Sequence, residues 1–500
     1  MTTEETRPLL RDAEMAEDGS LKAARGNDIV DFDPTGDSEN PRDWPKAYKW
    51  SIVALLALMA FTVTFTCISV VPVANHIIYD LDGTTSKSAS VLLVTIWELG
   101  EAFGPLVLAP LSEAVGRYPV FNVANVLFIS ATVLAVLCRS TPLFIAARAL
   151  TGLAVASNVL NPAIVGDMFI EEERGSAMSA IMLAPLLGGA VGPAIAGAIA
   201  ESLGWRQVLW MAITLASACE VVFFTCFRET FKVAILNRRV ARLTKETGNT
   251  ALRTAFAANN PEADDKGSRK LLDAVLRPFV VFFDSGVLQA MSLFGSLEFA
   301  YFYVMSTTLP DILEGLYGLS PARTGSAFIA FSVGSVIAVI ALNNLLDKIY
   351  IRLRDTHSLS NGKGQPEYRL PLAIVGAFTA PLVVALYGWA AQLRLPLPVL
   401  LINLGLLGST MMLAFLPLMA YVVDAFKLYS ASAMTALIVT RCLMGTFLPL
   451  GVDPLVKEFG YGWGFTALCG LSLCTAPIPV LIYRYGSQWR ERSRYSEQEL

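Results

Sequence analysis

Largely apolar stretches of about 20 residues or more recur along the chain, separated by short polar breaks. They fall at about 49–72, 88–112, 119–138, 142–168, 175–200, 206–227, 280–307, 323–346, 371–391, 397–423, 431–452 and 463–484. Each is long enough to cross roughly 30 Å of hydrocarbon as an α-helix. Most lack the polar face that a helix on a soluble core would show. The pattern predicts an all-α membrane protein with 12 transmembrane helices. The polar remainder divides it into a disordered tail (1–48), a six-helix bundle (49–227), a linker (228–279), a second six-helix bundle (280–484) and a short tail (485–500).

Composition agrees, with 54% hydrophobic and only 16% charged residues against about a quarter charged in soluble chains. Charge decides orientation. Thirty of the 38 lysines and arginines fall on the tails, the linker and the loops of the same side, and six (Lys87, Arg139, Arg206, Arg323, Arg394, Lys457) on the opposite loops. The positive-inside rule then makes both termini and the linker cytoplasmic. The polar start carries no cleavable signal peptide, and Glu5-Thr6-Arg7-Pro8-Leu9-Leu10 has the form of an acidic dileucine signal. Trp44 and Trp50, interleaved with Lys46 and Lys49, form an interfacial anchor. Within the linker, short amphipathic helices are expected around 231–246 and 268–277, broken by Asn259-Asn260-Pro261. The seven cysteines read as buried packing residues, and His76 and His357 as solvated loop residues. A net charge of −4 gives no reason to expect a nucleic-acid partner.

The halves resemble each other. Val165-x-Asp167-x-Phe169 followed by Ser176-Ala177-Met178-Ser179-Ala180 is answered by Val422-x-Asp424-x-Phe426 and Ser432-Ala433-Met434-Thr435-Ala436. A shift of 256 also pairs Gly189 with Gly445, Pro193 with Pro449 and Gly204 with Gly460, and one residue of slip in the turn is needed to align the aspartates. Parallel six-span repeats with a path between them are a transporter architecture. The fifth span carries small residues at every fourth position (Ser176, Ala180, Ala184, Gly188, Gly192, Ala196, Ala200) and two prolines, Pro185 and Pro193. Small-xxx-small spacing lets two backbones approach, and the prolines remove helix hydrogen bonds. A hinge is expected there, with its closest contact limited to Gly188, Gly192 and Ala196.

Ionisable side chains at membrane depth cost about 2.5–3.5 kcal/mol each even on the mildest scale, so they mark sites. Glu98 and Glu101 share one face of span 2; Arg148 lies in span 4, Glu298 in span 7 and Arg441 in span 11. The alternative for each is a structural ion pair. A desolvated carboxyl group favours its neutral form and can exchange a proton, so Glu98 or Glu101 paired with Arg148 is a candidate coupling unit. Trp97, Glu298, Tyr301 and Arg441 are candidates for the substrate cavity. The aromatic Trp97, Phe299, Tyr301, Tyr303 and Phe331 face either that cavity or lipid. In the loop Ala109-Pro110-Leu111-Ser112-Glu113-Ala114-Val115-Gly116-Arg117-Tyr118, Glu113, Gly116 and Arg117 are expected to latch neighbouring helices. Asp167 is a partner for Arg117, Glu113 would sit near Ser430, and the repeat counterpart is Leu345-x-Asp347-Lys348. No phosphate-loop motif, metal-ligand cluster or nucleophile–base pair is visible, so neither an ATP-driven pump nor an enzyme is expected.

These motifs resemble the major facilitator superfamily, and specifically the fungal twelve-spanner drug:proton antiporters, over roughly residues 39–490. Glu39-Asn40-Pro41-Arg42-Asp43-Trp44-Pro45 is similar to that group's entry sequence. The 109–118 loop is similar to the superfamily's span 2–3 signature, with Ala109 for glycine, Glu113 for aspartate and Tyr118 for a basic residue. Arg148-Ala149-Leu150-Thr151-Gly152 resembles the span 4 motif, which implies a proton-transfer role for Arg148. Gly188-x-x-x-Gly192-Pro193-x-x-Ala196-Gly197 resembles the antiporter motif, implying export and a hinge at Gly188, Gly192, Pro193 and Gly197. Tyr421-Val422-Val423-Asp424-Ala425-Phe426 also resembles the fungal group and adds Asp424 to the gate.

The resemblance implies a major-facilitator fold of two pseudo-symmetric six-helix bundles. It also implies a proton-coupled exporter of drugs, toxins or secondary metabolites, driven by the proton gradient with no cofactor. The expected partners are an amphiphilic small molecule and the lipid bilayer, for a monomer in the plasma membrane or, alternatively, the vacuolar membrane. A proton-coupled importer or facilitator and a non-transporting sensor are the competing expectations.

Overall fold

The computed structural model describes residues 29–33, 36–84, 86–255, 267–361 and 365–495. The dileucine-like run at 5–10 and the Asn259-Asn260-Pro261 break lie outside them. Eleven described helices are long and apolar enough to cross a membrane. The last, Ser430–Arg490, is interrupted at Gly460 (φ 75°, ψ 171°) and crosses twice. Spans 1 to 3 are Lys46–Ile68, Lys87–Val115 and Arg117–Leu137. Span 4 is broken into Thr141–Leu153 and Ser157–Met168. Spans 5 and 6 are Glu171–Leu203 and Trp205–Cys226. Spans 7 to 10 are Gly286–Pro310, Pro321–Asn361, Pro371–Gln392 and Leu397–Phe426. Spans 11 and 12 share Ser430–Thr475, and Pro477–Arg490 prolongs span 12. Twelve crossings place the linker and both ends of the chain on one side, called here the terminal face; the other is the far face.

Spans 1–6 and 7–12 form two bundles that meet where span 5 packs on span 8 and span 2 on span 11. Apolar side chains such as Val123, Leu127, Val221, Phe224, Ile337 and Ile402 point outward, as lipid-facing positions must. The repeat reaches the backbone. Gly204 (φ 90°, ψ 160°) joins spans 5 and 6 in the conformation with which Gly460 joins spans 11 and 12. Gly116 (φ 116°, ψ 159°) joins spans 2 and 3 in the same way. That region is essentially open only to glycine, so one residue reverses the chain between two long helices.

Span 5 is one helix that contains both Pro185 and Pro193. Several expectations need correction. His76 lies on a short helix, Ala74–Asp82, at the far face, and position 357 lies within the helix that prolongs span 8. Cys226 and Cys474 are exposed, unlike the other five cysteines. The expected linker helices are Lys232–Thr247 and Gly267–Asp284.

Residues 29–33 and 36–45, expected to be disordered, are bound to the linker instead. Ile29 and Val30 pair in parallel with Arg253 and Thr254. Asp37 Oδ2 accepts from Arg239 Nη1 at 2.5 Å, and Glu39 Oε1 from Arg242 Nη2 at 2.7 Å. The pairing is local and electrostatic: an acidic run meets a basic helix. Burial raises the Asp37 pKa, but the Glu39 N–H and the Arg239 guanidinium more than offset this and hold it below the ordinary 3.8.

Candidate functional site

Between the bundles lies a cavity of about 270 Å³ lined by spans 1, 2, 4, 5, 7, 8, 10 and 11. Its walls are aromatic and thioether side chains, among them Trp97, Phe299, Phe302, Phe331, Met411 and Met412. Phe302 and Phe331 have ring centroids 5.1 Å apart. Glu98, Glu101 and Arg441 supply its charge, and Asn158, Ser332 and Ser335 further polar groups. Trp97, Phe299, Tyr303 and Phe331 thus face the cavity and not lipid. A larger apolar hollow of about 610 Å³ between spans 2, 3 and 4 opens to the membrane side and carries no ionisable group.

The two span 2 glutamates hold different partners across the bundle interface. Tyr303 of span 7 donates to Glu98 Oε1 at 2.5 Å, while Glu98 Oε2, also buried, has no hydrogen-bond partner. Gly445 of span 11 faces that free oxygen, leaving a gap that a side chain would narrow. Glu101 Oε1 accepts from Arg441 Nη2 at 3.1 Å and from Asn158 Nδ2 at 2.7 Å. Arg441 stacks its guanidinium 4.4 Å from the Phe299 centroid, and its buried Nε has no partner. Glu98, Glu101 and Cys442 offer ligand atoms within 4.8 Å of one another. The Arg441 guanidinium on Glu101 already neutralises that carboxylate, so the set fits an ion pair better than a metal cation.

Arg148 does not pair with either glutamate. Its Nη1 and Nη2 donate to the carbonyls of Thr66 and Cys67 at 3.1 and 2.8 Å, and the guanidinium lies 4.7 Å from the Trp97 ring. Those carbonyls belong to the last turn of span 1, where a helix has no internal donors left. A cation there also complements the helix dipole. Arg148 is therefore a C-terminal cap for span 1, buried to 1% exposure. Glu298 and Tyr301 also leave the predicted cavity: Glu298 accepts from Ser472 Oγ at 3.1 Å, and Tyr301 donates to the Leu468 carbonyl at 3.0 Å. Both partners are on span 12. Span 7 presents Phe299, Phe302 and Tyr303 inward, and Glu298 and Tyr301, three residues apart, share the opposite side.

On the terminal face the latch contains Arg117 and Asp167 but not Glu113. Arg117 Nε lies 3.5 Å from Asp167 Oδ2, and its Nη1 donates to Ser112 Oγ at 2.5 Å. Glu113 is exposed and makes no hydrogen bond among the described residues. The missing acid is Glu229, just beyond span 6. Its carboxylate accepts from the N–H groups of Arg117 and Tyr118 at 2.8 and 3.4 Å, capping the start of span 3 and complementing its dipole. Gly116 is needed for this approach, since a Cβ there would lie 2.3 Å from Glu229 Oε2. In the other bundle, Arg369 bridges Asp424 at 2.9 Å and Asp347 at 2.7 Å. A second pair, Arg490 with both oxygens of Glu367 at 2.9 Å, is buried to 2% on each side.

Span 5 makes its tightest contacts at Gly188 and Gly197. A Cβ on Gly188 would lie 2.9 Å from the Phe61 carbonyl of span 1, and one on Gly197 2.2 Å from the Pro321 carbonyl of span 8. At Gly192 the neighbouring atoms of Phe65 would be 3.5 Å away, an ordinary contact. Pro193 lends its carbonyl to a contact that requires Gly325 on span 8. The intimate contact is thus displaced from Gly192 toward both flanking glycines.

The family model described as Major Facilitator Superfamily matches residues 51–449. The chain belongs to this superfamily. Among curated relatives, "Efflux pump radE" of Floropilus chiversii is 33% identical over 472 residues, covering 94% of this chain and 86% of its own length. "MFS transporter cpaT" of Aspergillus oryzae is 32% identical over 468 residues, covering 93% and 92%. Among solved structures, the xylose transporter XylE from E. coli in a partially occluded inward-open conformation aligns with a TM-score of 0.63 at 15% identity, covering 88% of this chain and 98% of that one. The human organic anion transporter MFSD10 aligns at 0.59 and 18%, covering 87% and 100%. These establish the major-facilitator fold. The protein is a transporter and not an enzyme, and the sensor expectation is left without support. In this transporter, sequence reasoning missed Tyr303 as the Glu98 donor, Glu229, Arg369 and the Arg490–Glu367 pair. Only Arg369 had a legible signal, as the one arginine immediately before span 9.

Proposed function

We propose that the protein is a proton-coupled exporter of amphiphilic small molecules that works by alternating access, with both termini in the cytoplasm. The observation that carries this reading is the Glu101–Arg441 pair, which joins the bundles across the cavity floor. Among the described residues, every hydrogen bond between the bundles lies at the level of Glu101 or nearer the far face. On the terminal-face side the bundles meet through apolar packing of Ala102 and Leu106 with Val439 and Cys442, backed by Val275 and Phe279 of the linker helix, and the positive-inside distribution supports a cytoplasmic assignment for that side. A substrate entering from that side meets aromatic and methionine walls suited to a partly apolar molecule.

Glu98 can take a proton on its unpartnered Oε2 and still accept from Tyr303. Glu101 cannot be neutralised without weakening its bond to Arg441. We assign Glu98 to carrying the proton and Glu101–Arg441 to reading it out as a change in how the bundles hold together. Arg148 keeps span 1 in place beside them. The name of the Floropilus relative, an efflux pump, supports export over uptake. The plasma membrane is the expected site of action. The test compares toxicity profiles of cells with and without the protein, each with and without a proton uncoupler. Export predicts protection that the uncoupler removes; sensitisation by expression, or uptake of labelled solute, would turn the reading to import.

A further inference from the structure

The far face carries a second charged contact between the bundles, distinct from the cavity pair. Asp311 opens a turn of π-helix, Asp311–Leu316, directly after Pro310 at the end of span 7. Single π turns inside α-helices often mark functional positions. Both oxygens of Asp311 are held by the other bundle: Oδ2 by Lys87 Nζ at the start of span 2, and Oδ1 by Asn75 Nδ2 at 2.9 Å. Lys87 also donates to the Thr307 carbonyl at 3.3 Å. Beneath them is a void of only about 10 Å³ between Val71, Ser90, Val94, Thr307 and Pro310, below or at the size of one water. Beside them the bundles touch backbone to backbone, because a Cβ at Gly325 would lie 2.0 Å from the Pro193 carbonyl. The bundles are packed closely around this contact, and Asp311 is the single carboxylate with two side-chain donors from the opposite bundle among the described residues.

We propose that Asp311, held by Lys87 and Asn75, is the bolt of the far-face gate, whose release exposes the cavity to the far side. This rests on the alternating-access reading above. The bolt is charge-dependent: Asp311 and Lys87 are each about a fifth exposed, so the attraction is only partly screened. Glu314, one turn on, is a second acid within electrostatic reach of both partners, and its buried Oε1 has no hydrogen-bond partner. Among the described residues it makes no hydrogen bond or ion pair to the opposite bundle and so is not part of the bolt. Asp311 is a positioning residue for the transport cycle and is not assigned any contact with substrate.

The test reads gate opening directly. The full-length protein, with Cys226 and Cys474 changed to serine, receives a reporter by Ser90→Cys in the wall of the void. A membrane-impermeant methanethiosulfonate reagent (the ethyltrimethylammonium form) is added from the far side. The reporter should label slowly with the bolt intact and about tenfold faster in Asp311→Asn or Lys87→Met, a shift typical of a single coupling interaction. The exchange Lys87→Asp with Asp311→Lys should restore slow labelling, and Glu314→Gln should leave it unchanged. Restoration by the exchange also excludes misfolding as the cause of the fast rate. Slow labelling in Asp311→Asn, or an exchange as fast as either single change, would overturn the bolt. Transport assays are read separately, so loss of the bolt leaves the export reading standing, whereas absence of any transport with an intact bolt counts against export.

Discussion

Arg148 and Arg441 are both buried arginines at membrane depth, yet they do opposite things. Arg148 sits inside the first bundle and spends its donors on the last carbonyls of span 1. Arg441 reaches across the interface to Glu101 and keeps a buried Nε without a partner. A cation that satisfies its own bundle fixes structure, because nothing in a transport cycle asks it to let go. A cation that closes the interface holds only one state of the cycle. The membrane cost of an arginine thus marks a site without saying which of these two jobs it serves.

The largest effect expected is on folding, from Arg148→Ala. Span 1 loses its cap: the Cys67 carbonyl loses its arginine donor and the Thr66 carbonyl keeps only Ser69 Oγ at 3.4 Å, at about 1–3 kcal/mol for each buried group left unsatisfied. The transporter should express poorly and melt early in detergent. Normal melting with lost proton coupling would instead make Arg148 a functional arginine and erase the contrast with Arg441. The buried Arg490–Glu367 pair gives a matching figure in the second bundle. Glu367→Gln should cost about 3–5 kcal/mol by removing the buried carboxylate that accepts two hydrogen bonds from Arg490. Asp347→Asn, at the exposed end of Arg369, should cost no more than about 1 kcal/mol. Comparable losses in both would mean that burial does not rank these pairs.

Glu98→Gln should leave folding intact and abolish proton-driven export, since the amide still accepts from Tyr303 but carries no exchangeable charge. Proton-dependent flux at the wild-type rate in a well-expressed variant would remove Glu98 from the coupling unit. Glu298→Gln, facing span 12, should change transport less than about twofold and stability by under about 1 kcal/mol. A strong transport defect there would bring the span 7–12 interface into the mechanism.

The smallest effect concerns the clasp of Ile29, Val30, Asp37 and Glu39 on the linker. Because the Asp37 carboxyl is held below its ordinary value of 3.8, its contribution is complete above that value and is lost as pH falls through the depressed one. Protease cleavage of the linker should therefore accelerate below about pH 4 and hardly change between pH 5 and 8. In Asp37→Asn it should be fast throughout.

The sequence made the twelve crossings and the intramembrane charges legible, because hydrocarbon thickness and desolvation act on single residues and short windows. The Gly204–Gly460 and Asp167–Asp424 correspondences were legible for the same reason, as local motifs repeated at a shift of 256, with one residue of slip at the aspartates. Pairing was not. A helix apolar on every side gives no sign of its rotation, so Glu298 and Tyr301 could not be told from Phe299 and Phe302 as outward or inward residues. Glu229 reaches Arg117 across 112 residues of chain. The counterpart arginine, Arg369, lies beyond a prolonged span 8 that replaces the one-glycine turn. The small-residue stripe on span 5 pointed to close packing, yet a period of four drifts around a helix of 3.6 residues per turn. That drift sends Gly188 to span 1 and Gly197 to span 8, with Gly192 between them.

The central claim is that Glu101–Arg441 converts protonation into bundle movement, and purified protein in proteoliposomes tests it most directly. With a cargo identified by the toxicity profiles, two quantities are recorded for wild type and Glu101→Gln: cargo exchange without a gradient, and proton movement driven by a cargo gradient. Glu101→Gln should still exchange cargo but move protons at less than about a tenth of the wild-type rate. Cargo-driven proton movement at the wild-type rate in Glu101→Gln would contradict it.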